Sequence, residues 1–252
     1  MIENTIAENM HVTGNSCVSG FLEGPWNGNY MTGGVSGNVI VRNCAAINGT
    51  VISTGGHSGG FTSCAAFASG YKDLYENCYT NVDVYGNTQT GVFVGVTHGG
   101  FHEYNNCYSA GKIEGTDSIG GFFACTQRNW GQETFNNCYS TSMVGMSNGG
   151  SNMGGFAGAG NANTYANNCY AAGEVGTLKS AADGTPLDDL GNKITTSNVS
   201  GFVGNNIGNY NNCYYDKQTT GMCNIGERGG IEGVLTPVSY THLRAHETLS
   251  DL

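Results

Sequence analysis

The sequence predicts an all-β protein: a parallel β-solenoid of the right-handed β-helix kind, with about 30 residues and roughly three short strands per rung. Three observations predict it. First, of 252 residues 42 are Gly, 30 are Asn and only 3 are Pro. Gly and Asn in such quantity are poor for helices and good for turns. Second, the Gly shows no three-residue period, which excludes collagen, and 38% hydrophobic with 10% aromatic residues is too rich for a disordered linker. Third, a short pattern recurs along most of the chain. No stretch approaches 18 apolar residues, so no membrane-spanning helix is expected.

The recurring pattern has four columns. Asn-Cys-Tyr occurs at Asn77-Cys78-Tyr79, Asn106-Cys107-Tyr108, Asn137-Cys138-Tyr139, Asn168-Cys169-Tyr170 and Asn212-Cys213-Tyr214. Asn43-Cys44-Ala45 is a weaker copy, and Ser16-Cys17 is read as an earlier one. The Cys-to-Cys steps are 27, 34, 29, 31, 31 and 44. An aromatic precedes the Cys by three or four residues: Tyr75, Tyr104, Phe135, Tyr165 and Tyr210. A β-branched residue follows it by six: Val84, Ile113, Val144 and Val175. Further on comes a Gly-apolar pair: Gly60-Phe61, Gly91-Val92, Gly121-Phe122, Gly155-Phe156 and Gly201-Phe202. A small residue usually lies two places after it: Ser63, Ala124, Gly158 or Gly204.

A run of four or five residues cannot bury itself alone. Stacking unit on unit brings equal positions into ladders and closes one core. Alternation then points Cys, Phe and the small residue inward and leaves Asn and Tyr at the turn or outside. Repeated Asn can bond amide to amide along the stack, and Gly is expected to supply the positive-φ corners. Residues 176–199 fall outside the pattern, are rich in polar residues and are read as a loop excursion. The span 1–237 is therefore read as one repeat domain.

Six of the ten Cys share one column. In a parallel stack they would lie about 4.8 Å apart, within reach of a disulfide but pointing the same way, which is poor geometry for one. A ladder of free, buried thiols is expected. Cys64, Cys125 and Cys223 receive no assignment. No CxxC pair is present, so no zinc site is expected.

Residues 238–248, Val-Ser-Tyr-Thr-His-Leu-Arg-Ala-His-Glu-Thr, break the composition of the chain. All eleven match a translated sequencing adapter of the transposase type. Residues 238–252 are accordingly expected to be a non-native, disordered tail behind a truncated gene, with Pro237 partly adapter. His242 and His246 are kept out of any catalytic or metal argument. Residues 1–20 lack the basic start and apolar core of a signal peptide. That absence is read as a lost N-terminus.

Asn-Cys-Tyr alternating with Gly-Phe-x-Gly resembles the GLUG-type repeats of bacterial surface and adhesin-like proteins, which also occur beside immunoglobulin-A-cleaving peptidases. The resemblance covers roughly residues 40–215. Gly155-Phe156-Ala157-Gly158 and Gly201-Phe202-Val203-Gly204 are its best copies. Gly91-Val92-Phe93-Val94-Gly95 is looser, and Gly60-Phe61-Thr62-Ser63 and Gly121-Phe122-Phe123-Ala124 lack the final Gly. Asn212-Cys213-Tyr214-Tyr215-Asp216-Lys217 resembles the segment that closes such arrays. The resemblance implies an extracellular, cell-surface β-solenoid with no catalytic residues in the repeat.

A search for chemistry agrees with that implication. Asp73, Glu76, Asp83, Glu103, Glu114, Asp117, Glu133 and Glu174 share no column by spacing, so no acidic strip is expected. His98 and His102 are four apart, a metal spacing only on a helix, and Gly99-Gly100 opposes a helix; both are read as surface residues. His11 and His57 are read as isolated. Asp83 and Asp117 lack the spaced acidic loop of a calcium site. No catalytic, cofactor-binding or metal residue is assigned, and no cofactor. The net charge of −10 opposes nucleic acid as a partner. The expected function is that of a non-enzymatic repeat region of an exported bacterial surface protein, a monomeric spacer or adhesion surface for a host or bacterial protein or glycan. The alternatives are the accessory region of a truncated surface hydrolase, peptidase or glycan-active, and last a polysaccharide-cleaving β-helix.

Overall fold

The computed structural model describes residues 1–23, 38–65, 72–127, 131–180, 186–187, 198–205, 207–222 and 229–235. Within them the chain is all-β, and every strand pairing is parallel except one. No helix among them is long and apolar enough to cross a membrane. The expected tail at 238–252, Pro237, Cys223 and most of the excursion lie outside the described residues. The excursion does contain the one antiparallel pair, Thr177–Ser180 with Pro186–Leu187. Val199–Ser200 already rejoins the parallel array at Met153–Gly154.

Four parallel sheets run side by side, and the chain visits them in the same order in each repeat. We call them A to D. Sheet A stacks Ile2–Glu3, Val39–Arg42, Lys72–Glu76, Phe101–Asn105, Gln132–Asn136, Thr164–Asn167 and Asn209–Asn211. Sheet B begins at Ile6–Glu8 and continues through Tyr79–Thr80, Tyr108–Ser109 and Tyr139–Ser140 to Cys213–Asp216 and Ile231–Val234. Sheet C has two halves around a corner, which Lys112–Gly120 and Met143–Gly154 turn as unbroken strands. Sheet D stacks Thr62–Ala65, Val94–Thr97, Phe123–Thr126, Ala157–Ala159 and Val203–Asn205. Between Cys78 and Cys107 the chain thus forms five short strands, at Tyr79–Thr80, Asp83–Tyr85, Thr88–Gly91, Val94–Thr97 and Phe101–Asn105. Three were expected. The extra breaks come from turns inside the apolar runs, which periodicity alone does not resolve.

The cysteine column is present. Cys44, Cys78, Cys107, Cys138, Cys169 and Cys213 are each buried at the same point of the repeat. Tyr79 N–H donates to the Cys44 carbonyl at 3.0 Å, Tyr108 to Cys78 at 2.9 Å and Tyr139 to Cys107 at 3.1 Å. The nine described Cys are all free thiols. Cys17, however, is not an early member. Ile6 pairs with Ala45, so Thr5 takes the rung that Cys44 takes one repeat later.

The aromatic columns stack face to face. Phe21, Phe61, Phe93, Phe122, Phe156 and Phe202 form one ladder with ring centroids 4.6–5.0 Å apart. Tyr75, Tyr104 and Phe135 form a second, at 5.0 Å. The two ladders meet edge to face, as at Phe93 and Tyr104 with centroids 6.0 Å apart, the arrangement their quadrupoles favour. Two sequence alignments are corrected by one residue. Gly91 pairs with Gly59, so Phe93 rather than Val92 joins the ladder. Phe135 pairs with Ala166, so Tyr165 faces the other way. A slip of one residue moves a side chain to the opposite face, and only the strand register reveals it.

The corners are made by Asn more than by Gly. Asn43, Asn77, Asn106, Asn137, Asn168 and Asn212 all lie at φ between 50° and 53°, a region Asn tolerates best among residues with a side chain. Their amides form a ladder in which Asn43 Nδ2 donates to Asn4 Oδ1 at 3.2 Å and each later Asn donates to the one before, to Asn212 on Asn168 at 3.3 Å. Gly serves instead where backbones crowd. A Cβ on Gly120 would stand 1.9 Å from the Phe123 carbonyl oxygen and 2.7 Å from the Gly158 nitrogen.

Candidate functional site

Sheet A carries buried charge. Along Lys72–Glu76, Phe101–Asn105 and Gln132–Asn136 the second and fourth residues point inward. The fourth are the aromatics of the ladder. The second are Asp73, His102 and Glu133, which register pairs directly, Asp73 to His102 and His102 to Glu133. All three side chains are buried. The expectation that Asp73 and Glu133 share no column is therefore corrected, as is the surface assignment of His98 and His102, both of which are buried. The signal was available: each of the three lies two residues before a ladder aromatic, on the inward phase.

The geometry sets the charge of His102. Nδ1 is 3.1 Å from Asp73 Oδ2 and Nε2 is 2.6 Å from the Gly99 carbonyl oxygen. A carbonyl accepts only, so Nε2 donates, and a carboxylate opposite Nδ1 makes the ring a double donor. Burial is the largest influence and would push His102 down. The hydrogen bond to Asp73 and the charges of Asp73 and Glu133 outweigh it, and the pKa is raised. Burial raises Asp73 and Glu133 as well, against the help they take from His102. Glu133 Oε1 also accepts from Thr97 Oγ1 at 2.8 Å. All three side chains are buried, and the register places a cation between two acids.

The second cluster lies where sheet C turns into sheet D, near the N-terminal end of the array. One register column there contains Cys17, His57, Gln89, Ser118 and Asn152, with φ of 55°, 62°, 54°, 53° and 58°. Asn and His are enriched in this region; Cys, Gln and Ser are not. Facing the column is a small apolar group apart from the main core, Cys64, Val96 and Cys125, with Cys17 packed against it. His57 is thus not isolated. Its Nδ1 lies 3.7 Å from Cys17 Sγ, and its Nε2 lies 3.1 Å from Gln127 Nε2, which also donates to Gln89 Oε1 at 2.5 Å. Cys17 Sγ, Cys64 Sγ and a ring nitrogen of His57 lie within 4.8 Å of one another. Sequence spacing could not show this, because Cys17 comes from one repeat and His57 and Cys64 from the next, flanking a corner.

Electrostatics divide the two thiols. Hydrogen bonds from Cys64 and then His57 bring Cys17 down to about 4. The same bond, with burial, pushes Cys64 far up. Glu23 is exposed overall, but its carboxyl turns in to accept from Ser63 Oγ and, at 3.3 Å, from Ser19 Oγ. Desolvation of that end raises it to about 7. Cys17 is therefore a half-buried thiolate at neutral pH, whereas the ladder thiols are buried and Cys107, Cys138 and Cys169 are pushed up by burial. With metal-free protein at pH 6, iodoacetamide should modify Cys17 and leave the ladder untouched, as read by peptide mass spectrometry. An ordinary thiol is only about 0.3% thiolate at that pH. Equal labelling of all the cysteines would contradict this assignment.

Comparison with models of known protein families, with curated proteins and with solved structures finds no match.

Proposed function

We infer that the chain is a right-handed parallel β-solenoid of about 30 residues per rung, working as a non-enzymatic repeat region of an exported bacterial surface protein. Its role is a stiff spacer that presents an extended surface to a protein or glycan. The observation that carries this reading is the unbroken set of ladders. One Phe column runs from Phe21 to Phe202 and one Asn amide column from Asn4 to Asn212, so adjacent repeats are locked by side chain as well as by backbone. Such an array resists bending and grows in one dimension. The trio in sheet A is buried, which favours a structural over a hydrolytic role.

Duplicating residues 107–137 in place tests it. Small-angle scattering should show an unchanged cross-section and a length greater by about 4.8 Å per inserted repeat. Growth in all dimensions would refute the solenoid. Antibody labelling of intact producing cells tests export; a signal confined to broken cells would refute the surface role.

A further inference from the structure

We propose that Cys17, Cys64 and His57 form a binding site for a thiophilic divalent cation of the zinc type, which staples the N-terminal turn of the array to the next. The ligand atoms are the two sulfurs and Nδ1 of His57. Tetrahedral zinc, with Zn–S of about 2.3 Å and Zn–N of about 2.0–2.1 Å, holds sulfur and nitrogen ligands about 3.6 Å apart and two sulfurs about 3.8 Å apart. The 3.7 Å from Cys17 Sγ to His57 Nδ1 is such an edge, and the third atom lies within 4.8 Å of both. Two sulfurs and an imidazole select zinc over the hard oxygen-seeking cations. The fourth position is left to water, with the Glu23 carboxyl on the same side, close enough to interact electrostatically with both Cys17 and His57.

Two further observations point the same way. Cys17, like Gln89 and Ser118 of the same column, is held in the left-handed region, which a residue of its kind rarely adopts. Strain of this kind concentrates at ligand-holding sites. His57 also has the outer partner a metal-bound imidazole needs. Gln127 sits 3.1 Å from Nε2 and 2.5 Å from Gln89 Oε1; the two amides, turned over together, keep their mutual bond and offer the Gln127 oxygen to Nε2–H while Nδ1 binds the ion. Amide orientation is set by such a network and can follow it. A metal bond from Cys17 to His57 and Cys64 ties the turn that carries Val18–Ser19 to the one that carries Gly56–Gly59, which pair in register.

The test uses the whole chain, reduced, stripped of metal and kept anaerobic, titrated with Co²⁺ alone and then Zn²⁺. One equivalent of Co²⁺ should give thiolate-to-cobalt charge transfer in the near ultraviolet and intense tetrahedral bands in the visible, bleached by one equivalent of Zn²⁺. Zn²⁺ should raise the melting temperature. Cys17→Ser and Cys64→Ser should abolish the bands, and His57→Asn, which tolerates the left-handed backbone, should weaken binding at least tenfold. Cys107→Ala, in the ladder, should keep them; circular dichroism shows that each variant is folded. Absence of charge transfer in the folded wild type overturns the proposal. So do bands that survive Cys17→Ser, or a Cys17–Cys64 disulfide that persists as the native state and leaves no metal binding after reduction.

Discussion

His102→Ala is expected to lower stability by about 3–5 kcal/mol at neutral pH. The substitution removes the cation that lies 3.1 Å from Asp73 Oδ2 and pairs in register with Glu133, and leaves two carboxyls in an enclosed core. Neither can reach water, so each must take up a proton or destabilise the fold. The pH dependence follows from the directions of the shifts. Asp73, Glu133 and His102 all have folded-state pKa values above their ordinary ones. A raised value stabilises in full below the unfolded pKa and loses that contribution as pH rises through the folded one. The wild type should therefore lose stability as pH rises, the carboxyls contributing from about 4 upward and His102 from about 6.5 upward. The His102→Ala deficit should be smallest in acid, where both carboxyls are protonated, and should lack the alkaline component. Urea midpoints between pH 4 and 9 measure this. A deficit that grows on acidification would show that the trio is wrongly assigned.

Phe122→Ala should cost about 3–5 kcal/mol. The ring stacks on Phe93 at 4.6 Å and on Phe156 at 5.0 Å, and meets Tyr104 and Phe135 edge to face at 6.0 and 5.8 Å. Tyr104 and Phe135 are fixed by strands of sheet A, and Phe93 and Phe156 by the tight bends between sheets C and D, so the site cannot collapse to fill the void. Phe21, half-buried at the end of the same ladder, should cost about half as much on truncation, since part of its surface already meets water. Equilibrium urea unfolding with an unchanged slope measures both. Equal losses at the two positions would mean that the ladder is not the source of cohesion.

Much of this architecture was legible in the residues. The Asn-Cys-Tyr column, the β-branched column from Val84 to Val175 and the Phe ladder all follow from equal spacing, because a stacked repeat forces equal positions into equal environments. Charge in the core was legible but missed. Asp73, His102 and Glu133 each lie five residues before the column cysteines Cys78, Cys107 and Cys138, a column that a search for acids alone breaks at the histidine. Tyr165 and Val92 were misplaced because alternation has a period of two, and one inserted residue exchanges inside for outside.

The sequence by itself determined that the chain is all-β, that its unit is the Cys-centred repeat, and that free thiols and Asn amides run in columns. These depend on composition and period, which are local. Only the tertiary structure decided that Asn, not Gly, turns most corners, that the apolar runs break into five strands, and that Cys17 leaves the ladder to meet His57 and Cys64. Those outcomes depend on which backbone crowds which and on contacts between successive turns. Residues 17, 57 and 64 come within 4.8 Å of one another because parallel pairing of Val18 with Ser58 sets Cys17 beside His57, a proximity that sequence distance does not encode.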